Sequence, residues 1–258
     1  MEILQSIVLG VVQGLTEFLP VSSSAHLVLV PWLFHWPDLG LTFDMALHLG
    51  TLFALIVYFW ADWLDIIKKW HEPLLWLIIV ACLPAAAFGF KFEQYFETVF
   101  RDPRLIALFM IVFAFVLWLA DEYGRKKREL ASLNLIDAFV IGALQVLALM
   151  PGVSRSGITM VGGLAVGLDR RSAARFSFLV SAPVIAGASL FKMRHIIAHG
   201  MPATEAQAFL FGVLASALVG ALTIKFLMDY LQKHSFHIFV WYRLAVGAAV
   251  LLLWTVIR

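Results

Sequence analysis

Apolar positions along the chain gather into runs of two lengths, and that difference predicts the architecture. Residues 3–15 (ILQSIVLGVVQGL) are apolar but too short to cross alone, because a span needs roughly 20 apolar residues. The polar stretch TEFLPVSSSAH follows, and then a second short run from Leu27 to Phe34. Two short runs meeting at a proline-containing polar turn predict a re-entrant hairpin. A single kinked span would instead place Glu17 and three serines near its middle, where polar groups are expensive. Three better spans follow, Phe43–Trp60, Leu74–Phe90 and Leu105–Ala120. The charges gather in the connecting segments 62–72, 91–104 and 121–134. From Leu135 the order begins again: a short run to Met150, the polar loop PGVSRSGIT (Pro151–Thr159), and a short run to Leu168. Three more spans are predicted at about Phe176–Phe191, Ala208–Met228 and Ile238–Ile257.

The pattern predicts an all-α polytopic membrane protein with a single domain over residues 1–258. It contains two repeats, about 1–120 and about 135–258, separated by a basic loop at about 121–134. Each repeat is a re-entrant helical hairpin plus three transmembrane helices. A hairpin returns to its own side and three spans change side, so the second repeat is expected to be inverted relative to the first. Residue identities agree weakly with this. Val8–Gln13 (VLGVVQ) aligns with Val140–Gln145 (VIGALQ), and Ser22 and Ser24 align with Ser154 and Ser156, 132 residues on in each case. Pro20 and Pro151 match only with a one-residue slip.

Composition narrows the class. A chain 62% hydrophobic and 14% charged, with mean hydropathy +0.91, fits a polytopic membrane protein rather than a soluble domain. A net charge of +2 is too small to suggest a nucleic-acid partner. The single cysteine, Cys82, excludes an internal disulfide framework and reads as a small hydrophobe in a helix. The first segment opens on Glu2 without a basic n-region or a cleavage site, so no cleavable signal peptide is expected. Trp32, Trp36, Trp60, Trp63, Trp70 and Trp76 lie near predicted span ends, as an interfacial belt would. No Lys or Arg precedes Lys68. Lys68, Lys69, the cluster Arg125–Arg128, Arg170, Arg171, Arg175 and Lys233 fall on one side, which the positive-inside rule makes cytoplasmic. Lys91, Arg101, Arg104, Lys192 and Arg194 fall on the other, so the bias is incomplete.

The candidate chemistry sits in the two polar turns. Gln13 and Glu17 are spaced i, i+4 and share one helix face. A carboxylate at membrane depth is a functional candidate. Glu17 reads as a metal ligand, a base or a partner of Arg155, or as half of a purely structural pair with that arginine. Ser22, Ser23 and Ser24 precede an apolar helix, where an N-cap and exposed N–H groups favour anions. Ser23 and His26 are three apart, within reach of a serine–histidine contact. The plainer alternative is a structural histidine. The second turn supplies Ser154, Arg155, Ser156 and Thr159, with Gly152 and Gly157 permitting close backbone approach. The arginine fork suits phosphate, and hydroxyls with turn N–H groups complete an oxyanion cradle. No Gly-Lys-Ser/Thr follows, so the loop is not a Walker A motif. Val161 stands where lipid phosphatases with a vanadium-haloperoxidase-like site would want histidine. Asp44 and His48 share one face of the third run. They either support the site or line its mouth, or are a helix-end acid and an interfacial histidine. The other histidines (35, 71, 195, 199, 234, 237) suggest no metal cluster.

QGLTE (13–17), FLPVSSSAH (18–26) and PGVSRSGIT (151–159) resemble the signature regions of the undecaprenyl-diphosphate phosphatase family, the bacitracin-resistance integral membrane phosphatases. The resemblance extends through length and span pattern across nearly the whole chain. It implies hydrolysis of undecaprenyl diphosphate to undecaprenyl phosphate and phosphate, which recycles the cell-wall lipid carrier and confers bacitracin resistance. It also implies the bacterial cytoplasmic (inner) membrane, an active site open to the periplasmic side, and a divalent cation, Mg2+ or Ca2+. The family's serine, histidine and arginine fall on Ser23, His26 and Arg155. Glu17 takes the catalytic and metal-binding carboxylate role, and Gln13 is the less secure metal ligand, standing where the family often has glutamate. Ser22, Ser24, Ser154, Ser156 and Thr159 are expected to bind substrate. Either Ser23 attacks with help from His26, or these groups orient a water. The competing classes are a secondary transporter or lipid flippase, and an intramembrane serine protease using Ser154 or Ser23 with His26. The density of hydroxyls, Arg and Glu at one point favours phosphoryl chemistry. Oligomeric state stays open, a homodimer included, as do chain-length preference and any flippase activity.

Overall fold

The computed structural model describes residues 3–37, 39–199 and 203–256. Side chains at 41, 93, 94, 96–98, 192–199 and 203–205 lie outside that description, so Lys192, Arg194, His195 and His199 are not placed. The described residues form eleven α-helices: α1 (Ile3–Phe18), α2 (Ser23–Phe34), α3 (Gly40–Tyr58), α4 (Trp60–Lys68), α5 (Pro73–Val99), α6 (Pro103–Tyr123), α7 (Leu135–Gln145), α8 (Arg155–Ala165), α9 (Arg170–His199), α10 (Ala203–Tyr230) and α11 (His237–Val256). They contain no strand, only an isolated bridge between Arg128 and Leu168.

Five of these helices are long and apolar enough to cross a membrane: α5 over Pro73–Phe92, α6, α9 over Arg170–Phe191, α10 over Ala206–Tyr230, and α11. A sixth candidate is α3 with α4, bent by 71° between them. The protein is thus a nearly all-helical, multi-pass membrane protein. Residues 62–68 differ from the expected connecting segment 62–72. They lie in α4, because Trp63 and Ile66 pack on the main core while Asp62 reaches Arg175. Helices α5 and α9 also run past their expected ends, to Val99 and His199.

A short helical hairpin followed by long helices occurs twice in the element order, α1–α2 before α3 to α6 and α7–α8 before α9 to α11. The halves exchange arms, since α1 packs along α10 and α7 along α5. Gly10 and Gly142 make these two contacts close. A Cβ on Gly10 would meet the Gly212 carbonyl, and one on Gly142 the Ala81 carbonyl. In lipid, close backbone packing through small residues takes the place of a hydrophobic drive between helices.

Ion pairs mark two ends of the bundle. At one end Arg170 bonds Asp121 at 2.6 Å, Arg128 bonds Asp137 at 2.6 Å, and Arg175 pairs with Asp62. At the other, Asp44 pairs with Arg101 at 3.7 Å, and the Arg104 guanidinium lies 4.9 Å from the Trp254 ring centroid. The basic residues expected on one side, Arg128, Arg170 and Arg175, therefore gather at the first end.

Candidate active site

Each hairpin turns at a serine with left-handed backbone, Ser22 and Ser154, both at φ 76°. Such a conformation costs a non-glycine residue about 1–3 kcal/mol and persists where surrounding contacts over-determine it. The contacts here are reciprocal. The Gly152 N–H donates to Ser22 Oγ at 3.1 Å, and Ser156 Oγ donates to the Leu19 carbonyl at 3.2 Å. Hydroxyl pairs lie within each turn, Ser22 with Ser24 at 3.3 Å and Ser154 with Ser156 at 3.2 Å. The turns differ in capping. Ser154 Oγ accepts from the Gly157 N–H and caps α8, whereas Ser22 makes no side-chain cap on α2.

This stitching brings Glu17, at the end of α1, to Arg155, at the start of α8. Glu17 Oε1 accepts from the Arg155 guanidinium. Oε2 accepts from Ser23 Oγ at 2.5 Å and from Gln13 Nε2 at 3.0 Å, and His48 Nε2 lies 3.3 Å away. His48 Nδ1 is 2.7 Å from the Asp44 carbonyl. A carbonyl and a carboxylate both only accept, so Nδ1 and Nε2 each carry a hydrogen and the ring meets Glu17 as an imidazolium.

Glu17, Ser23, Ser24, His48, Ser154 and Arg155 contribute polar groups to the wall of a cavity of about 490 Å3. Leu27, Val28, Leu149, Phe90 and Phe191 contribute apolar wall, and Asp44 and Arg101 also line it. The cavity therefore extends toward the Asp44–Arg101 end and away from the Arg128–Arg170 end. Gln145 is on the wall too. Its Nε2 donates to the Ala81 carbonyl at 3.1 Å, and its Oε1, like that of Gln13, is buried without a hydrogen-bond partner among the described residues.

Of the residues singled out from sequence, Glu17, Ser23, Ser24, Ser154 and Arg155 face this cavity. Gln13, Ser22, Ser156 and Thr159 are buried behind it. Thr159 Oγ1 bonds Ser177 at 2.6 Å and the Arg155 carbonyl at 2.8 Å, holding α8 on α9 instead of facing the cavity. The expected contact between Ser23 and His26 requires a correction. His26 Nδ1 donates to the Ser22 carbonyl at 2.7 Å, and its Nε2 accepts from the Tyr242 hydroxyl at 2.7 Å, with the rings stacked at 5.7 Å. Folding back on the carbonyl four residues earlier turns the ring toward α11. The expected Ser23–His26 contact is not made, and the histidine beside the carboxylate is His48.

Sequence reasoning passed over Arg243, buried within α11 and bonded to carbonyls of both turns. A lone arginine inside the predicted span Ile238–Ile257 was the available signal.

Residues 6–249 match the model of a protein family described as bacitracin resistance protein BacA. The chain belongs to this family. Among curated relatives of the BacA-family protein, an undecaprenyl-diphosphatase of Moorella thermoacetica is 51% identical over 97% of each chain. One of Pelotomaculum thermopropionicum is 48% identical over 98% of this chain and 97% of its own. One of Pelobacter propionicus is 49% identical over 97% and 96%. The resemblance carried by residues 13–26 and 151–159 thus extends over nearly the whole BacA-family chain.

Proposed function

We propose that this protein hydrolyses undecaprenyl diphosphate to undecaprenyl phosphate and inorganic phosphate, at the cavity between the two hairpins. The observation that carries the reading is the shared carboxylate: Ser23 Oγ donates to one oxygen of Glu17 while Arg155 holds the other. A nucleophile hydrogen-bonded to a base is the arrangement covalent catalysis requires. Arg155 is the fork that grips phosphate oxygens as charge develops on them. The apolar wall beyond suits a polyprenyl chain.

Ser23 Oγ attacks the terminal phosphorus, and its proton passes to Glu17. The bond from phosphorus to the bridging oxygen breaks, and undecaprenyl phosphate leaves with the bond electrons and takes that proton from Glu17, which returns to a carboxylate. A water then attacks the phosphoserine and gives its proton to Glu17. The P–O bond to Ser23 breaks, inorganic phosphate departs, and the serine oxygen takes the proton from Glu17, which restores both the hydroxyl and the carboxylate. His48 Nε2, against the same carboxylate oxygen, orients Glu17 in both steps.

Mg2+ or Ca2+ fits the oxygens present. The Glu17 carboxylate, the Ser23 hydroxyl and the unpartnered Oε1 of Gln13 are hard donors. No three His, Cys, Asp or Glu among the described residues form a cage, so diphosphate oxygens would complete the coordination. When bound, the cation neutralises charge on the phosphate oxygens. The positive-inside pattern supports a cytoplasmic-membrane protein whose cavity opens to the periplasmic side, with the two halves inverted. Turnover there would recycle the cell-wall lipid carrier and confer bacitracin resistance.

The test is phosphate release from a polyprenyl diphosphate by the purified protein in detergent, with and without chelator. Metal-dependent release and trapping of phosphoserine at Ser23 are expected. Release without any phosphoenzyme, even with a stalled second step, would replace serine attack by an oriented water. No release under any metal condition would favour a transporter or flippase.

A further inference from the structure

Arg243 sits in α11 at 1% exposure. Among the described residues its hydrogen bonds all run to backbone carbonyls. Nε donates to Met110 at 3.1 Å. Nη1 donates to Pro20 and Val153, each at 3.1 Å. Nη2 donates to Gly152 at 2.7 Å and Phe109 at 3.5 Å. A guanidinium carries five N–H donors in one rigid plane, and five carbonyls from three separate segments receive them. An arginine buried at membrane depth is expensive and marks function more often than packing.

Three of the five carbonyls belong to the hairpin turns. Pro20 lies two residues before Ser22, and Gly152 and Val153 lie directly before Ser154. These are the two serines at φ 76°, whose strained backbone needs external contacts to persist. Peptide planarity adds a consequence. With the Val153 carbonyl held toward Arg243, the N–H of Ser154 in the same peptide points the opposite way. Ser154 is on the cavity wall. A guanidinium behind the turns therefore sets how the turn backbone faces the reacting phosphate, without touching it.

We propose that Arg243 is a positioning residue. It clamps both hairpin turns from behind and so holds the Glu17–Ser23 pair and Arg155 in one registration. The inference rests on the hydrolase reading for its kinetic consequence, but its structural consequence can be read separately.

The test uses the full-length protein in detergent, with R243K and R243Q. It measures kcat and KM for a polyprenyl diphosphate, the melting temperature, and backbone hydrogen exchange by mass spectrometry. Misplacing catalytic groups without removing them should cost R243K about 100-fold in kcat, with KM little changed. Exchange should speed up at residues 19–24 and 150–157 while α6 and α11 keep the wild-type rates. R243Q, which keeps an amide donor at that depth, should show the same pattern. Unchanged kcat with unchanged exchange in the turns would overturn the proposal. So would exchange rising evenly through α6 and α11 with a matching loss of melting temperature, or failure of both variants to fold, because Arg243 would then be merely structural. If the wild type itself releases no phosphate, the hydrolase reading fails. The exchange pattern still decides whether Arg243 holds the two turns.

Discussion

The turn at Pro20–Ser24 and the turn at Gly152–Ser156 each place a serine at φ 76°. Each gives one serine hydroxyl to the other turn, and each opens a short helix, α2 or α8. Their chemistry differs. The first carries a carboxylate with a serine hydroxyl on it; the second carries a guanidinium and a properly capped helix. Either charge alone at this depth would be costly, and each is compensated by the other. A site split in this way exists only when both halves of the chain have folded against each other. The similar backbones place the two groups, and the unlike side chains set a carboxylate with its serine hydroxyl against a guanidinium.

Four substitutions can break or sharpen that division. Ser23→Ala should have the largest effect, because it removes the group bonded to the base. Turnover should fall roughly 1,000-fold, measured as phosphate release. A loss no larger than that from Ser154→Ala would mean that the two turns do not divide the chemistry. Arg155→Lys keeps the charge and loses the fork, and turnover should fall about 100-fold. Near-normal activity would leave Arg155 a counter-charge for Glu17 and nothing more. Ser22→Ala strands the buried Gly152 N–H and should lower stability by about 1–3 kcal/mol, read from reversible unfolding of the purified protein. No change would show that the reciprocal stitch is not what holds the turns together. Ser154→Ala removes a helix cap and should cost about 1 kcal/mol. A larger stability loss here than at Ser22 would reverse the structural half of the comparison.

The two turns were legible in the sequence because polar residues interrupt runs too short to span, a local feature. Glu17, Ser23 and Arg155 were legible because a carboxylate, a serine turn and an arginine at membrane depth are each out of place there. The role of His48 was left between two readings. Its i, i+4 spacing from Asp44 is visible, but its approach to Glu17 depends on how α3 packs beside α1. The Ser23–His26 contact fails for the complementary reason. Spacing puts His26 one turn from Ser23, yet its ring is held by Tyr242, 216 residues away. Arg243 was visible as a charge in the last span. Nothing local told that its five donors would meet carbonyls from α6 and from both turns.

The sequence by itself determined the membrane class, the short and long apolar segments, and where polar and charged residues interrupt them, because hydrophobic length and intramembrane charge act position by position. The tertiary structure decided the partners. Glu17 meets Arg155 across 138 residues, and α1 and α7 each lie on a helix of the other half. Those choices come from close packing of small residues and from satisfying buried donors and acceptors, which only neighbours distant in the chain can do.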